Sequence, residues 1–192
     1  MNLSIMKFKK PKFWDYKKPS ILSYLLLPLS FMLSILRVFI RSIVKKKKYP
    51  YIKTICVGNI YLGGTGKTSL SLKINEILKS KVKSCFIKKY YPNQIDEQKI
   101  LANHGKLFTS KSRSSSVKEA IHESFEVAIF DDGLQDPFLN YDYNIVCFNI
   151  DNWIGNNFTI PSGPLRESIK NLKKYRNVFL NGNNENIDSI KK

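Results

Sequence analysis

The sequence predicts an α/β fold, a mainly parallel sheet flanked by helices, with a helix of a different character in front of it. Three observations predict this. From residue 52 onward, short β-rich runs alternate with helical stretches. The first run passes into a glycine-rich turn and then a helix, through "GNIYLGGTGKTS" at 58–69. The positive charge is concentrated ahead of that core: residues 1–48 carry twelve Lys or Arg against one Asp, whereas the other 144 carry twenty against fourteen acids.

Residues 1–48 form the first unit. Ile21–Val44 reads as a helix with a wide apolar face, on which Ser23, Ser30, Ser34, Arg37 and Arg41 trace one narrow polar stripe. The apolar stretch before Arg37 is about 16 residues, short of the roughly 20 that span a bilayer. Pro28 bends the helix or starts it afresh. Phe13, Trp14 and Tyr16 precede it and suit the headgroup region. Basic flanks beside such a helix are drawn to an anionic membrane, at about 1 kcal/mol per near-surface charge. An amphipathic helix lying in the interface is the favoured reading. A spanning helix and a core helix of the soluble domain are its alternatives. A cleaved signal peptide is disfavoured, because the run starts late, ends in "RSIVKKKK" and has no A-x-A-like site after it.

Residues 49–181 form the core. Its strands are read at "IKTICVG", "KSCFIK", "KLFTS", "EVAIFD", "YNIVCFN" and "NVFLN", and its helices at about 67–80, 115–124 and 165–175. Cys56, Cys85 and Cys147 each sit in an apolar run; their odd number and the lack of C-x-x-C argue against disulfides or zinc and fit a reducing cytoplasm. The tail, 182–192, is polar and expected to be loose.

A phosphate-binding loop needs a strand, a tight turn with converging N–H groups, and a helix N-terminus. Tyr61, Leu62, Gly63, Gly64, Thr65, Gly66, Lys67 and Thr68 supply the turn and helix start, which makes the core P-loop NTPase-like. Tyr61 stands where the usual pattern has its first glycine, and Gly63 and Gly64 can supply the lost flexibility. Lys67 would reach the β- and γ-phosphates of ATP and the Thr68 hydroxyl would ligate Mg²⁺. "EVAIFDDG" ends a later strand in Asp131 and Asp132, the expected acidic site, with Asp131 on the metal.

Five segments resemble the tetraacyldisaccharide 4′-kinase family, the lipid A kinases of the Gram-negative inner membrane. "KKPKFW" with "LLLPLS" looks like its membrane-associated helix, and "VGNIYLGGTGKTS" like its phosphate loop, which also lacks the first glycine. "IDEQKIL" resembles its D-E-P motif, "FDDGLQD" its D-D-G-L-Q-H, and "IGNNFTIPSGPLRES" its G-N-x-x-x-x-P-A-G-P-L-R-E. The resemblance implies transfer of the ATP γ-phosphate to the 4′-hydroxyl of a tetraacyldisaccharide 1-phosphate, giving lipid IVA, at the cytoplasmic face of the inner membrane. It implies Asp96 as the base that accepts the hydroxyl proton, Lys67, Asp131 and Asp132 as further catalytic residues, and Lys88, Tyr90, Arg166 and Glu167 as substrate contacts. Arg113 falls near a family arginine after the third strand. The implied partners are the lipid A disaccharide 1-phosphate precursor and the anionic membrane surface; a monomer is expected, and nucleic acid is not.

Departures accompany the match. R-G-Y reads Lys88-Lys89-Tyr90, which keeps a charge but loses the planar fork of arginine. Gln98 replaces the proline of D-E-P, and Asp136 replaces the histidine of D-D-G-L-Q-H. His104 and His122 fall outside both motifs and read as surface or helix residues. The family's C-terminal lobe, with its D-H-H motif, has no match, so a fragment with weak Mg-ATP binding and little turnover is expected. The competing readings are a different membrane-associated P-loop NTPase, and a basic membrane- or nucleic-acid-binding module with a vestigial loop.

Overall fold

A computed structural model describes residues 10–182. Six strands, β1 (Lys53–Gly58), β2 (Ser84–Lys89), β3 (Leu107–Ser110), β4 (Val127–Asp131), β5 (Tyr143–Asn149) and β6 (Asn177–Asn181), form one sheet in the order β3-β2-β4-β1-β5-β6. Every pairing is parallel. Alternate residues feed opposite faces, as a strand's period of two requires. Cys56, Ile87, Ala128, Phe130, Val146 and Phe148 pack with Val117 and Ala120 of α5 (Arg113–His122). Val57, Phe86, Ile129 and Cys147 pack with Leu70, Ile74 and Leu78 of α3 (Lys67–Leu78) and Leu101 of α4 (Ile95–His104). Both faces of the central strands β1, β2 and β4 are covered, so these read as apolar runs rather than alternating ones, while the edge strand β6 is mostly exposed. The three cysteines are buried free thiols, and burial pushes Cys85 and Cys147 up to about 12.

Three expectations change. The helix expected over Ile21–Val44 is two, α1 (Ile21–Leu25) and α2 (Leu27–Ile43), with Pro28 in the first turn of α2 where its missing N–H does no harm. The helix expected over about 165–175 is only a 3-10 turn, Ile169–Lys174, because Leu165 is held extended by bridges to Tyr61 and Thr159. "IDEQKIL", which lies outside the three expected helices, opens α4. Of that helix only Leu101 is fully buried, so its amphipathic signal is faint. The expected loose tail lies outside the described residues except for Gly182.

The polar stripe of α1 and α2 faces inward. Ser23 and Ser30 are buried, while Ile21, Leu25, Phe31, Met32, Ile35, Val38, Phe39 and Ile43 are exposed. The stripe docks on a loop, 154–168. Asn156 Nδ2 donates to Ser23 Oγ (3.0 Å), and Ser30 Oγ donates to the Thr159 carbonyl (2.9 Å) and accepts from Ser162 N (3.0 Å). Arg37 Nη1 donates to the Arg166 carbonyl at 2.6 Å. Among the described residues no helix is long and apolar enough to cross a membrane.

Candidate active site

The strand order sets the site. β1 lies between β4 and β5, so the C-terminal ends of β1, β4 and β2 open onto one edge, where ligands of open α/β sheets bind. From β1 the chain runs through Asn59–Gly66 into α3. Gly66 precedes the first turn of α3 with φ +81°, a left-handed angle that glycine adopts at little cost. The first N–H groups of α3 have no intrahelical acceptor and face the loop, with the positive end of the helix dipole behind them. Asn59 Nδ2 donates to the Gly63 carbonyl (3.1 Å), and Leu62 N donates to the Pro164 carbonyl (2.8 Å), so the loop is braced from both sides. Thr65 is buried with its hydroxyl unpartnered, as expected beside a ligand that brings acceptors. Tyr61 is buried, not part of an open cradle; its hydroxyl contacts Asp15 and Lys10 from the N-terminal segment.

Gly66→Ala is expected to cost about 1–3 kcal/mol through the positive φ and to abolish nucleotide binding. Its Cβ would lie 2.6 Å from Asn181 Nδ2 on β6. Urea midpoints and titration with a fluorescent ATP analogue check both halves.

β4 delivers two acids with different surroundings. Asp131 is fully buried; Thr68 Oγ1 donates to its Oδ2 at 3.3 Å, and Oδ1 has no hydrogen-bond partner. A hydroxyl beside an orphan carboxylate oxygen fits a hard divalent cation. Among the described residues no cluster of three His, Cys, Asp or Glu is placed to hold a metal ion. The next residue, Asp132, has φ +64°, unusual for a non-glycine, and its N–H donates to the Val57 carbonyl. Its Oδ1 accepts from Arg166 Nη1 at 2.6 Å. Burial alone would raise its carboxyl, but Arg166 and Lys67 outweigh that and hold it below its ordinary value.

That shift has a pH signature. A depressed carboxyl stabilises the fold at pH above its unfolded value, and this is lost as pH falls through the lower folded value. Asp132→Asn is therefore expected to lower the melting temperature at pH 7 and to flatten its fall below about pH 4. Melting curves across that range test it.

The structure distributes the remaining residues unevenly. Arg166 lines a cleft of about 370 Å³ together with Lys89, Tyr91, Arg113, Asp132 and Asp136. Lys88 and Tyr90, expected as substrate contacts, do not line it: Lys88 is buried against Asp131, and Tyr90 is exposed. The pair at the cleft is one residue further on, because successive strand residues point to opposite faces. Glu167, likewise expected at substrate, is buried and saturated by protein donors: Arg41 (3.2 Å), Asn171 (3.0 Å), Tyr175 (2.7 Å) and Gln135 (3.3 Å). It is a brace between α2, the loop after β4 and the 3-10 turn. Asp96 is exposed on the first turn of α4, next to Glu97, whose carboxylate meets Lys88 Nζ at 2.6 Å. Arg113 Nη1 pairs with Asp136 (3.1 Å) and Nη2 with the Asp132 carbonyl, so the acid in the histidine's place neutralises a neighbouring arginine. Glu97, Lys89, Tyr91 and Gln135 were not singled out by sequence, although Glu97, Lys89 and Gln135 lie inside the quoted motifs.

A glycine loop on a helix N-terminus, with an acid from the adjacent strand against its threonine, defines an α/β protein of the phosphate-loop NTPase fold. The tetraacyldisaccharide-1-P 4′-kinase family model matches residues 22–106 and 92–192, and the chain belongs to that family. It is 62% identical over 189 residues to the tetraacyldisaccharide 4′-kinase of Pelagibacter ubique, covering 97% of this chain and 59% of that protein. It is 34% identical to the enzyme of the same name from Rickettsia bellii, covering 94% and 61%. The "apo" form of LpxK from Aquifex aeolicus in complex with ATP superposes with a TM-score of 0.74 at 26% identity, over 83% of this chain and 59% of that one. The chain thus spans about three fifths of the length of these relatives.

Proposed function

We propose that the chain carries the ATP site and lipid-acceptor site of a kinase that phosphorylates the 4′-hydroxyl of tetraacyldisaccharide 1-phosphate, giving lipid IVA, at the cytoplasmic face of the bacterial inner membrane. One observation carries the reading. The loop 154–168 is hydrogen-bonded at one side to the inward stripe of α1 and α2, and at the other to the phosphate loop and Asp132. An outward apolar face and a phosphate-binding edge therefore belong to one body, which is what a kinase needs when its acceptor stays in a membrane. Residues 1–48 are the membrane-docking unit in this reading and 49–181 the kinase core.

The roles follow from position. Residues 62–68 wrap the phosphates, with Lys67 on the β- and γ-phosphates and the α3 N-terminus beneath them. Thr68 and Asp131 hold Mg²⁺, which when bound supplies positive charge to the transferring phosphoryl oxygens. Asp132 positions Arg166 at the cleft, where Arg166 and Lys89 receive the anionic acceptor. Asp96 takes the proton of the 4′-hydroxyl.

The test is label transfer from γ-labelled ATP in mixed micelles with and without the tetraacyldisaccharide 1-phosphate. The assay reads lipid dependence rather than rate. Label appearing on the lipid supports the reading. ATP hydrolysis that ignores the lipid, with no labelled lipid, supports a different membrane-associated NTPase instead.

A further inference from the structure

Lys88 ends in a place unusual for a lysine. Its side chain is 2% exposed, at the C-terminal end of β2. The β2–β4 register pairs Ile87 with Phe130, so the next position sets Lys88 beside Asp131. Its ammonium lies 2.6 Å from Asp131 Oδ2 and 2.6 Å from Glu97 Oε2. Thr68 Oγ1 reaches the same Asp131 oxygen, so Oδ2 has two donors while buried Oδ1 has none. A buried carboxylate oxygen left without a donor is costly, and beside a phosphate loop it points to a cation that arrives with the ligand.

We propose that Lys88 is a resident cation of the magnesium site, holding Asp131 Oδ2 and Glu97, leaving Asp131 Oδ1 to the divalent ion, and weakening that ion's binding by its charge. The inference rests on the Mg-ATP reading above. The two carboxylates and the ammonium together carry one negative charge instead of two. In a water-poor site each added charge within a few ångströms changes ion affinity strongly. The ion is thus held chiefly through the nucleotide phosphates, and the carboxylates do not repel one another before it arrives. Lys88 is a positioning residue in this scheme, because it touches the metal's carboxylates and not the reacting atoms.

A purely structural lysine, stapling β2 to β4 and α4, predicts something else, and two variants separate the cases. The quantity to measure is the affinity for adenylyl imidodiphosphate with Mn²⁺, divided by its affinity without metal, by calorimetry on the whole chain. Lys88→Gln keeps N–H donors and removes the charge, and it is expected to raise this ratio about tenfold or more. Glu97→Gln acts at the half-exposed end of the bridge and leaves Lys88 paired with Asp131, so its fold is safe. With one carboxylate fewer against the same ammonium, its ratio is expected to fall toward one. Opposite shifts in the two variants support the proposal. Should Lys88→Gln fail to fold, the Glu97→Gln result decides alone, and a ratio equal to wild type overturns the proposal. A Lys88→Gln ratio at or below wild type also overturns it, while metal-free analogue binding leaves the ATP reading standing. Absence of analogue binding under any condition would overturn both.

Discussion

Replacing Phe31, Ile35 and Phe39 together with serine is expected to release the protein from anionic vesicles while leaving its fold intact. The three recur at helical spacing on α2 and are 69%, 53% and 59% exposed. Each large apolar side chain contributes about 1.5–3 kcal/mol when fully buried. Entry into the membrane interface is partial, so the trio is worth about 3–6 kcal/mol, or about 10²–10⁴-fold in partitioning. Their loss costs the fold little, because exposed substitutions typically stay within about 0.5 kcal/mol each. Vesicle sedimentation and thermal melting read the two effects separately. What remains of binding should be salt-sensitive, held by basic residues such as Lys45–Lys48.

The reverse substitution sharpens the argument. On an ordinary surface helix, serine is harmless at a polar position and ruinous at an apolar one. Here Ser30 is buried, with hydrogen bonds to residues 159 and 162. Ser30→Leu should therefore destabilise the protein by leaving those backbone groups unpaired, at about 1–3 kcal/mol. Vesicle binding as strong in the triple serine variant as in the wild type would refute an interfacial role for this face. A helix of 17 residues is about 26 Å long, shorter than the roughly 30 Å hydrocarbon core, which agrees with lying in the interface and not crossing it.

How legible this was depended on which residues carry the signal. β5 and β6 read directly, since "YNIVCFN" and "NVFLN" are short apolar runs between polar punctuation. The phosphate loop read directly too, because glycine spacing and a following lysine and threonine are local chemistry. The stripe Ser23–Arg41 was visible, but its direction was not. Interface and core helices share a period, and only the partner loop shows that the serines face inward. α4 was missed because Asp96, Glu97 and Gln98 present charged and polar groups where a buried helix would show apolar residues. Lys88 and Lys89 look alike in sequence, yet strand pleating sends one to Asp131 and its neighbour to the cleft. Glu167 looked like a ligand contact because it is charged and sits in a motif; its four protein donors lie far away in sequence or on the following turn.

Asp96→Asn is expected to reduce lipid phosphorylation by about 10²–10⁴-fold, the usual contribution of a positioned general base, with ATP affinity unchanged. The separation follows from where Asp96 sits. It is exposed on the first turn of α4, outside residues 61–68, and the asparagine is nearly isosteric. Loss of its charge near a helix N-terminus costs only about 0.3–1 kcal/mol of stability, too little to unfold the protein. Lys67→Ala supplies the opposite pattern, because removing the loop's ammonium weakens the ground-state complex itself and should be visible in analogue binding. A variant at Asp96 that lost both binding and transfer would make it a structural residue of α4. One that kept both would remove it from the reaction and leave Glu97, the neighbouring acid of the same motif, to test next.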